Sequence, residues 1–99
     1  MQVTEKKGEN SLILEVSGQV DTVTAPELQT SILTAFQKTA NVYLDLSDVA
    51  YMSSAGLRAL LIGQKTAASK GGKLIIKGVQ DPVMQVFNMS GFSKVLTIE

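Results

Sequence analysis

Two adjacent hydroxyls, Ser53 and Ser54, are the side chains of this sequence best placed for chemistry. They follow an apolar alternation over 42–46, which predicts a strand, and precede apolar residues at helical spacing over 57–68, which predict a helix. A serine ahead of a helix favours an N-cap, whose oxygen accepts a hydrogen bond from an unpaired first-turn N–H. The same N–H groups and the positive end of the helix dipole also favour an anion, so either serine would hold a phosphate there. Phosphorylation would add about −1.5 to −2 charges at one point and act as a switch.

The chain contains neither cysteine nor histidine. Their absence excludes disulfides, thiolate chemistry, Ser–His catalysis, histidine pH switching and the usual zinc sites. A serine nucleophile would need lysine or a carboxylate as its base, and Lys65 lies too far along the predicted helix to reach Ser54. The sequence also has no carboxylate cluster at metal-ligand spacing and no glycine-rich phosphate loop with its lysine. We therefore expect no enzymatic activity, no metal and no cofactor.

Length and charge predict one domain spanning residues 1–99. The 99 residues include nine basic and nine acidic side chains, without the basic stripe that nucleic-acid binding requires. No apolar run approaches the roughly 20 residues needed to cross a bilayer, and the first residues lack the apolar stretch of a signal peptide. We expect a cytoplasmic monomer that binds neither nucleic acid nor membrane.

The elements that position the two serines alternate between strands and helices. Strands are predicted over 2–7, 11–17, 42–46, 73–77 and 95–98, the first two as a hairpin and the last at a sheet edge. Helices are predicted between the later strands, which indicates an α/β fold: one mixed β-sheet of four to five strands with helices packed on it. Parallel neighbours would place Ser54 at the carboxyl end of a strand, where open α/β sheets meet ligands and partners.

Local signals mark two of the helix starts. Thr24, Pro26 and Glu27 predict a capping box, with Thr24 as N-cap and Glu27 reaching back. For the third helix, Asp81 is predicted as the cap and Pro82 as a first-turn residue.

Methionine and arginine supply further expectations. Met52, Met84 and Met89 are predicted mainly to fill gaps in the core, and Met52 is the one we expect to be partly exposed at an adaptable interface. Arg58 lies one turn after Ser54, where it is either a solvated side chain or a partner for a phosphate at i+4.

Three motifs in the same order resemble a known family. Residues 44–57, LDLSDVAYMSSAGL, resemble the signature of the bacterial STAS-domain anti-sigma-factor antagonists. Residues 18–21 with Thr24 are similar to the G-E-L-D-x-x-T stretch of that family, and residues 89–92 are similar to its M-S-G-L/F turn. The likeness covers nearly the whole chain and implies a STAS-like fold.

The resemblance also implies a phosphorylated residue. In that family a serine within a D-S-S-G-L or similar run is phosphorylated by an anti-sigma-factor kinase. Aligning on Gly56 and Leu57 places the acceptor on Ser54, with Ser53 as the alternative. The sequence departs from the pattern on both sides, since Ser53 replaces an Asp and Ala55 replaces a second Ser found in many members.

The function implied by the resemblance is partner switching. The unmodified domain would bind an anti-sigma-factor serine kinase and free its sigma factor, phosphorylation at Ser54 would release the kinase, and a serine phosphatase would restore the unmodified form. The residues expected to meet the kinase lie around the acceptor; they are Asp21, Thr24, Met52, Ser53, Ser54, Gly56 and Arg58. The alternatives are a sensor of a small ligand such as a nucleotide and a scaffold STAS domain without a phospho-switch.

Overall fold

The computed structural model describes residues 1–99 as five strands, three α-helices and one 3₁₀ turn. The strands are β1 (Gln2–Gly8), β2 (Ser11–Ser17), β3 (Asn41–Asp48), β4 (Lys73–Lys77) and β5 (Thr97–Ile98). The helices are α1 (Ala25–Lys38), α2 (Ser54–Ser69) and α3 (Asp81–Ser90), and the 3₁₀ turn Phe92–Lys94 leads from α3 to β5. The predicted order of strands and helices is confirmed, although β5 begins two residues later than expected.

One mixed sheet connects all the strands, in the order β1-β2-β3-β4-β5. β1 and β2 form the predicted antiparallel hairpin, and every other pair of neighbours is parallel. Each parallel crossover moves one strand further in the same direction, so right-handed connections place the three helices on the same face of the sheet. The carboxyl ends of β2, β3 and β4 consequently meet at one edge.

The core lies between the sheet and the helices. Alternate residues of the three central strands are buried; they are Leu12, Leu14, Val16, Val42, Leu44, Leu46, Leu74 and Ile76. They pack with the predicted apolar face of α1, formed by Leu28, Ile32, Ala35 and Phe36. The opposite face of the sheet carries charge, with a 3.1 Å ion pair between Lys6 and Glu15 and the Lys77 ammonium 5.8 Å from the centre of the Tyr43 ring.

A glycine lets α2 approach its neighbours closely. Gly63 lies on the buried face of α2, a position that the spacing of the larger apolar residues did not predict. A Cβ at this residue would lie 2.8 Å from Ile32 Cγ2 and 2.9 Å from Leu74 Cδ2, which is closer than side chains tolerate. Close packing of α2 against α1 and β4 fixes the direction in which its first turn points.

The predicted cap of α3 is wrong by one residue. Gln80 is the N-cap, with an extended backbone, and Asp81 is already the first helical residue. The Gln80 side chain makes no capping bond and instead donates to the Ser47 carbonyl at 2.6 Å, which ties the start of α3 to the end of β3. Gly91 ends the helix in the left-handed conformation, with φ +80°.

The structure reverses the expectations for two of the methionines, Met52 and Met89. Met52 is 2% exposed, so the prediction that it is partly exposed is wrong, whereas Met89 is 88% exposed and does not fill the core. Val83 and Phe87 define the buried side of α3, and Met89 follows Phe87 by two residues, about 200° further round the helix. Met84 is half-buried against the core. None of the three helices is long and apolar enough to cross a membrane.

Candidate functional site

The candidate site is the carboxyl edge of the sheet, by which we mean the loops 18–24 and 49–53 with the first turns of α1 and α2. Two hydrogen bonds join the loops: Val20 N–H donates to the Tyr51 carbonyl at 3.1 Å, and Ser53 N–H donates to the Val20 carbonyl at 2.8 Å. Val20 and Met52 thereby form a parallel bridge beyond the strands. The structure confirms that the serines follow the carboxyl end of a strand and that the Asp21 loop lies beside them.

The two serines have different roles at the start of α2. Ser53 is the N-cap: its backbone is extended, and its Oγ accepts a long hydrogen bond of 3.4 Å from Gly56 N–H. Ser54 is the first helical residue, and its side chain is exposed. No protein group bonds the Ser54 hydroxyl, so capping occupies one serine and leaves the other free.

The first turn of α2 is electropositive. The N–H groups of Ser54 and Ala55 find no protein acceptor, and the first N–H to reach a carbonyl is that of Leu57, 3.1 Å from Ser53 O. No acidic residue lies in this turn. Arg58 follows one turn later, is exposed, and takes part in neither ion pair of the structure. The Ser54 hydroxyl therefore lies at the uncompensated positive end of the helix dipole, one helical turn before a guanidinium that forms no ion pair.

A shallow groove continues the carboxyl edge between α1 and α2. Arg58 lines this groove, whose volume is about 380 Å³, together with residues from both helices. The other lining residues are Thr22, Ala25, Pro26, Gln29, Thr30 and Ala55. The groove extends the surface around Ser54 towards α1.

Asp21 and Thr24 are brought to the site, where their side chains bond within their own loop. Asp21 Oδ1 accepts the N–H groups of Val23 and Thr24, both at 3.0 Å. Thr24 Oγ1 accepts Asp21 N–H at 2.9 Å and donates to the Gln19 carbonyl at 2.9 Å. The hydrogen bond from Thr24 N–H is the main cause that lowers the pKa of the Asp21 carboxyl below its ordinary value of 3.8.

This reciprocal pattern corrects the predicted capping box. The reciprocal hydrogen bonds join Asp21 to Thr24. The sequence had predicted a box that starts three residues later and joins Thr24 to Glu27. Ala25 N–H already reaches the Asp21 carbonyl at 2.8 Å, so the turn 22–24 continues the helical bonding of α1 backwards. Thr24 is the N-cap residue of α1, as predicted, but its hydroxyl caps no N–H of that helix.

Met52 and Gly56 support the site from within. Both are buried, so Met52 does not offer its side chain at the surface, contrary to expectation. A Cβ at Gly56 would lie 2.7 Å from both Met52 Cγ and Val20 Cγ1. Glycine is therefore what allows α2 to rest on the bridge between the two loops.

Sequence reasoning missed two exposed apolar residues at the carboxyl edge. Val23 is 86% exposed and Tyr51 is 51% exposed. Val23 lies inside the Asp21–Thr24 box, on the loop 18–24. Tyr51 precedes buried Met52, whose bridge to Val20 is a long-range contact that no local pattern of the sequence indicates.

Sequence comparison finds relatives that match most of the chain. It is 26% identical over 98 residues to the anti-sigma-B factor antagonist of Bacillus subtilis (strain 168), covering 99% of this chain and 90% of that relative. It is 33% identical over 88 residues to the anti-sigma-B factor antagonist of Staphylococcus aureus (strain NCTC 8325 / PS 47), covering 86% and 80%. Both relatives are thus regulatory binding proteins by name.

Structural comparison finds the same fold in SpoIIAA of Bacillus. The unphosphorylated anti-sigma factor antagonist SpoIIAA superposes with a TM-score of 0.83 and 16% identity, covering 99% of this chain and 88% of SpoIIAA. Its phosphorylated form gives a TM-score of 0.75 and 17% identity, covering 99% and 91%. The family model of the STAS domain matches residues 1–99. With a family match over its whole length and a shared fold, the chain belongs to the STAS domain family.

Proposed function

We propose that this protein is an anti-sigma-factor antagonist controlled by phosphorylation of Ser54. The unphosphorylated domain binds an anti-sigma-factor serine kinase and frees its sigma factor, and phosphorylation of Ser54 ends that binding. A serine phosphatase resets the domain. The supporting observation is the exposed Ser54 hydroxyl, free of the capping bond that its neighbour makes. The kinase draws on ATP, so we place the switch in the cytoplasm.

The geometry favours Ser54 over Ser53 as the acceptor. Ser53 is half-buried, its N–H is bonded to the Val20 carbonyl, and its Oγ caps Gly56 N–H. Phosphorylating Ser53 would remove a cap and force a charge against the joined loops. Ser54 requires neither change, because its side chain already projects into solvent.

The transfer needs only a hydroxyl from this domain. Ser54 Oγ attacks the γ-phosphorus of ATP, the bond to the β-phosphate oxygen breaks, ADP leaves, and the hydroxyl proton passes to a base of the kinase. Catalytic groups, ATP and metal belong to the kinase in this scheme. The domain is therefore a substrate and a binding protein, not an enzyme.

The phosphate changes the local charge more than any other group on this surface. It adds about −1.5 to −2 charges to a chain with no net charge, beside free N–H groups and Arg58. A partner surface that fits a neutral hydroxyl must desolvate the dianion on docking. A hundredfold loss of affinity requires only about 2.7 kcal/mol, which this cost can supply.

The comparisons support this proposal. Relatives matching most of the chain are named antagonists of an anti-sigma factor, and SpoIIAA, which shares the fold, has been solved in a phosphorylated form. The chain also keeps a serine at the position that the family motif assigns to the acceptor.

Phosphate mapping with matched variants tests the assignment. The purified anti-sigma-factor kinases of the source organism are incubated with ATP and with the native protein, Ser54→Ala or Ser53→Ala, and the products are mapped by mass spectrometry. We expect phosphate on Ser54 in the native protein and in Ser53→Ala, and none in Ser54→Ala. Ser54→Ala should still bind the kinase, whereas Ser54→Asp should bind it more weakly. Phosphate confined to Ser53 would refute the assignment.

A further inference from the structure

We propose that Val23 and Tyr51 are the apolar anchors by which the carboxyl edge holds its kinase, an inference that rests on the function proposed above. The partner is the anti-sigma-factor kinase, which contacts these two side chains with an apolar part of its own surface, next to the point where it reaches Ser54. The chain thus separates the residue that switches binding from the residues that supply its affinity.

Exposure singles out these two side chains. Four large apolar residues of the chain are exposed: Val23 (86%), Tyr51 (51%), Met89 (88%) and Val95 (52%). Single exposed apolar residues are ordinary on protein surfaces, so exposure alone indicates little. Val23 and Tyr51 differ from the other two because each lies on a loop of the carboxyl edge. Val23 is three residues after Val20, which is bonded to the opposite loop, and Tyr51 is three residues before Ser54.

Both anchors stand on backbone that is already fixed. Val23 N–H donates to Asp21 Oδ1 at 3.0 Å, within the capping box. The Tyr51 carbonyl accepts Val20 N–H at 3.1 Å, within the bridge that joins the loops. Anchors held in this way lose little backbone entropy on binding, so more of their burial appears as affinity. Tyrosine in particular supplies a large contact area with few rotatable bonds.

The side chains that the sequence favoured are less suited to this task. Asp21 Oδ1 and Thr24 Oγ1 are occupied by hydrogen bonds of their own loop. A partner that bonded them would have to share or break those bonds, which shape the loop. Their part is to position Val23.

Apolar anchors also strengthen the effect of a phosphate. Burying Val23 and Tyr51 against a partner removes water from the carboxyl edge, on which Ser54 also lies. Enclosing a dianion in a dry interface costs more free energy than leaving it at a wet one, because less water remains to solvate the charge. The kinase surface expected here is thus apolar around the point where Ser54 enters.

The test compares exposed apolar residues at the site with exposed apolar residues elsewhere on the chain. Val23→Thr is matched by Val95→Thr, which makes the same near-isosteric change, and Tyr51→Ser is matched by Met89→Ser. Kinase binding is measured by calorimetry on the unphosphorylated proteins, and phosphorylation kinetics are measured with ATP. Thermal unfolding checks that all four variants are folded.

We expect about tenfold weaker binding for Val23→Thr and about thirtyfold for Tyr51→Ser, with native affinity for both controls. The KM for each anchor variant should rise with kcat nearly unchanged, since the anchors bind without touching the transferred group. Native affinity in folded Val23→Thr and Tyr51→Ser variants would refute the role of these residues as anchors, without refuting the proposed phosphorylation switch. Equal losses in the control variants would also refute that role. Failure of the native protein to bind any anti-sigma-factor kinase would overturn the proposed function and the anchors with it.

Discussion

Replacing each serine by alanine separates the cap from the proposed acceptor in experiments that need no partner protein. Ser53→Ala removes the oxygen that accepts Gly56 N–H, whereas Ser54→Ala removes a hydroxyl that bonds nothing in the protein. Loss of a serine cap typically costs about 0.5–2 kcal/mol. The capping bond measures 3.4 Å, which is long, so we expect a loss near the lower end, about 0.5–1 kcal/mol. For Ser54→Ala we expect a change within about 0.3 kcal/mol, because alanine also favours the first turn.

Thermal and urea unfolding of the unphosphorylated proteins measure both values. In a domain of this size 1 kcal/mol lowers Tm by about 4–8 °C, so Ser53→Ala should lower it by about 2–8 °C and Ser54→Ala by no more than about 2 °C. Ser53→Asp is a suitable control, because aspartate caps as well as serine and should restore stability. If Ser54→Ala is the more destabilising variant, the two serines have been assigned the wrong roles, and the free-hydroxyl argument fails with them.

Three further perturbations test the scaffold of the site. Gly56→Ala should destabilise by about 1–2 kcal/mol in urea unfolding, because a Cβ 2.7 Å from Met52 Cγ overpacks the site by more than the helical preference of alanine recovers; a stabilised variant would refute that packing. The lowered pKa of Asp21 contributes stability that is fully present above its ordinary value of 3.8 and is lost as the pH falls through the lower folded value. Asp21→Asn should therefore lose stability less steeply than the native protein in acid titrations below about pH 5, and parallel curves would contradict the shift. Arg58→Gln should leave unphosphorylated protein unchanged and lower the stability of Ser54-phosphorylated protein by about 0.5 kcal/mol; equal effects on both forms would exclude an ion pair.

The sequence predicted the elements well because their signals are local and periodic. The alternation over 42–46 and the run 73–77 predicted the central strands, since burial on one face of a strand repeats every second residue. Strand and helix order then determined that the serines lie at the carboxyl edge, because parallel neighbours admit few other arrangements.

The details that failed concern where an element begins and where a side chain points near its end. Asp21, Thr24 and Glu27 offer two overlapping boxes, and the reciprocal bonds between Asp21 and Thr24 show which one the chain uses. Met52 appeared exposed because it lies in a loop, but its bridge to Val20 turns it inwards. A bridge between two loops is a long-range contact, which no periodicity along the chain records.

The same division of roles explains how a phosphate can alter binding without disturbing the fold. Ser53 caps α2, and Asp21 pairs with Thr24 to start α1, so the groups that hold the two loops are separate from Ser54, the proposed phosphate acceptor. A dianion on Ser54 enters a helix start that already favours negative charge, so it should not unwind α2. The free-energy cost of desolvating the phosphate would therefore weaken the binding of a partner at the carboxyl edge and would not lower the stability of the domain. A serine that both capped the helix and accepted the phosphate would couple every switching event to helix stability, and the adjacent pair of serines avoids that coupling.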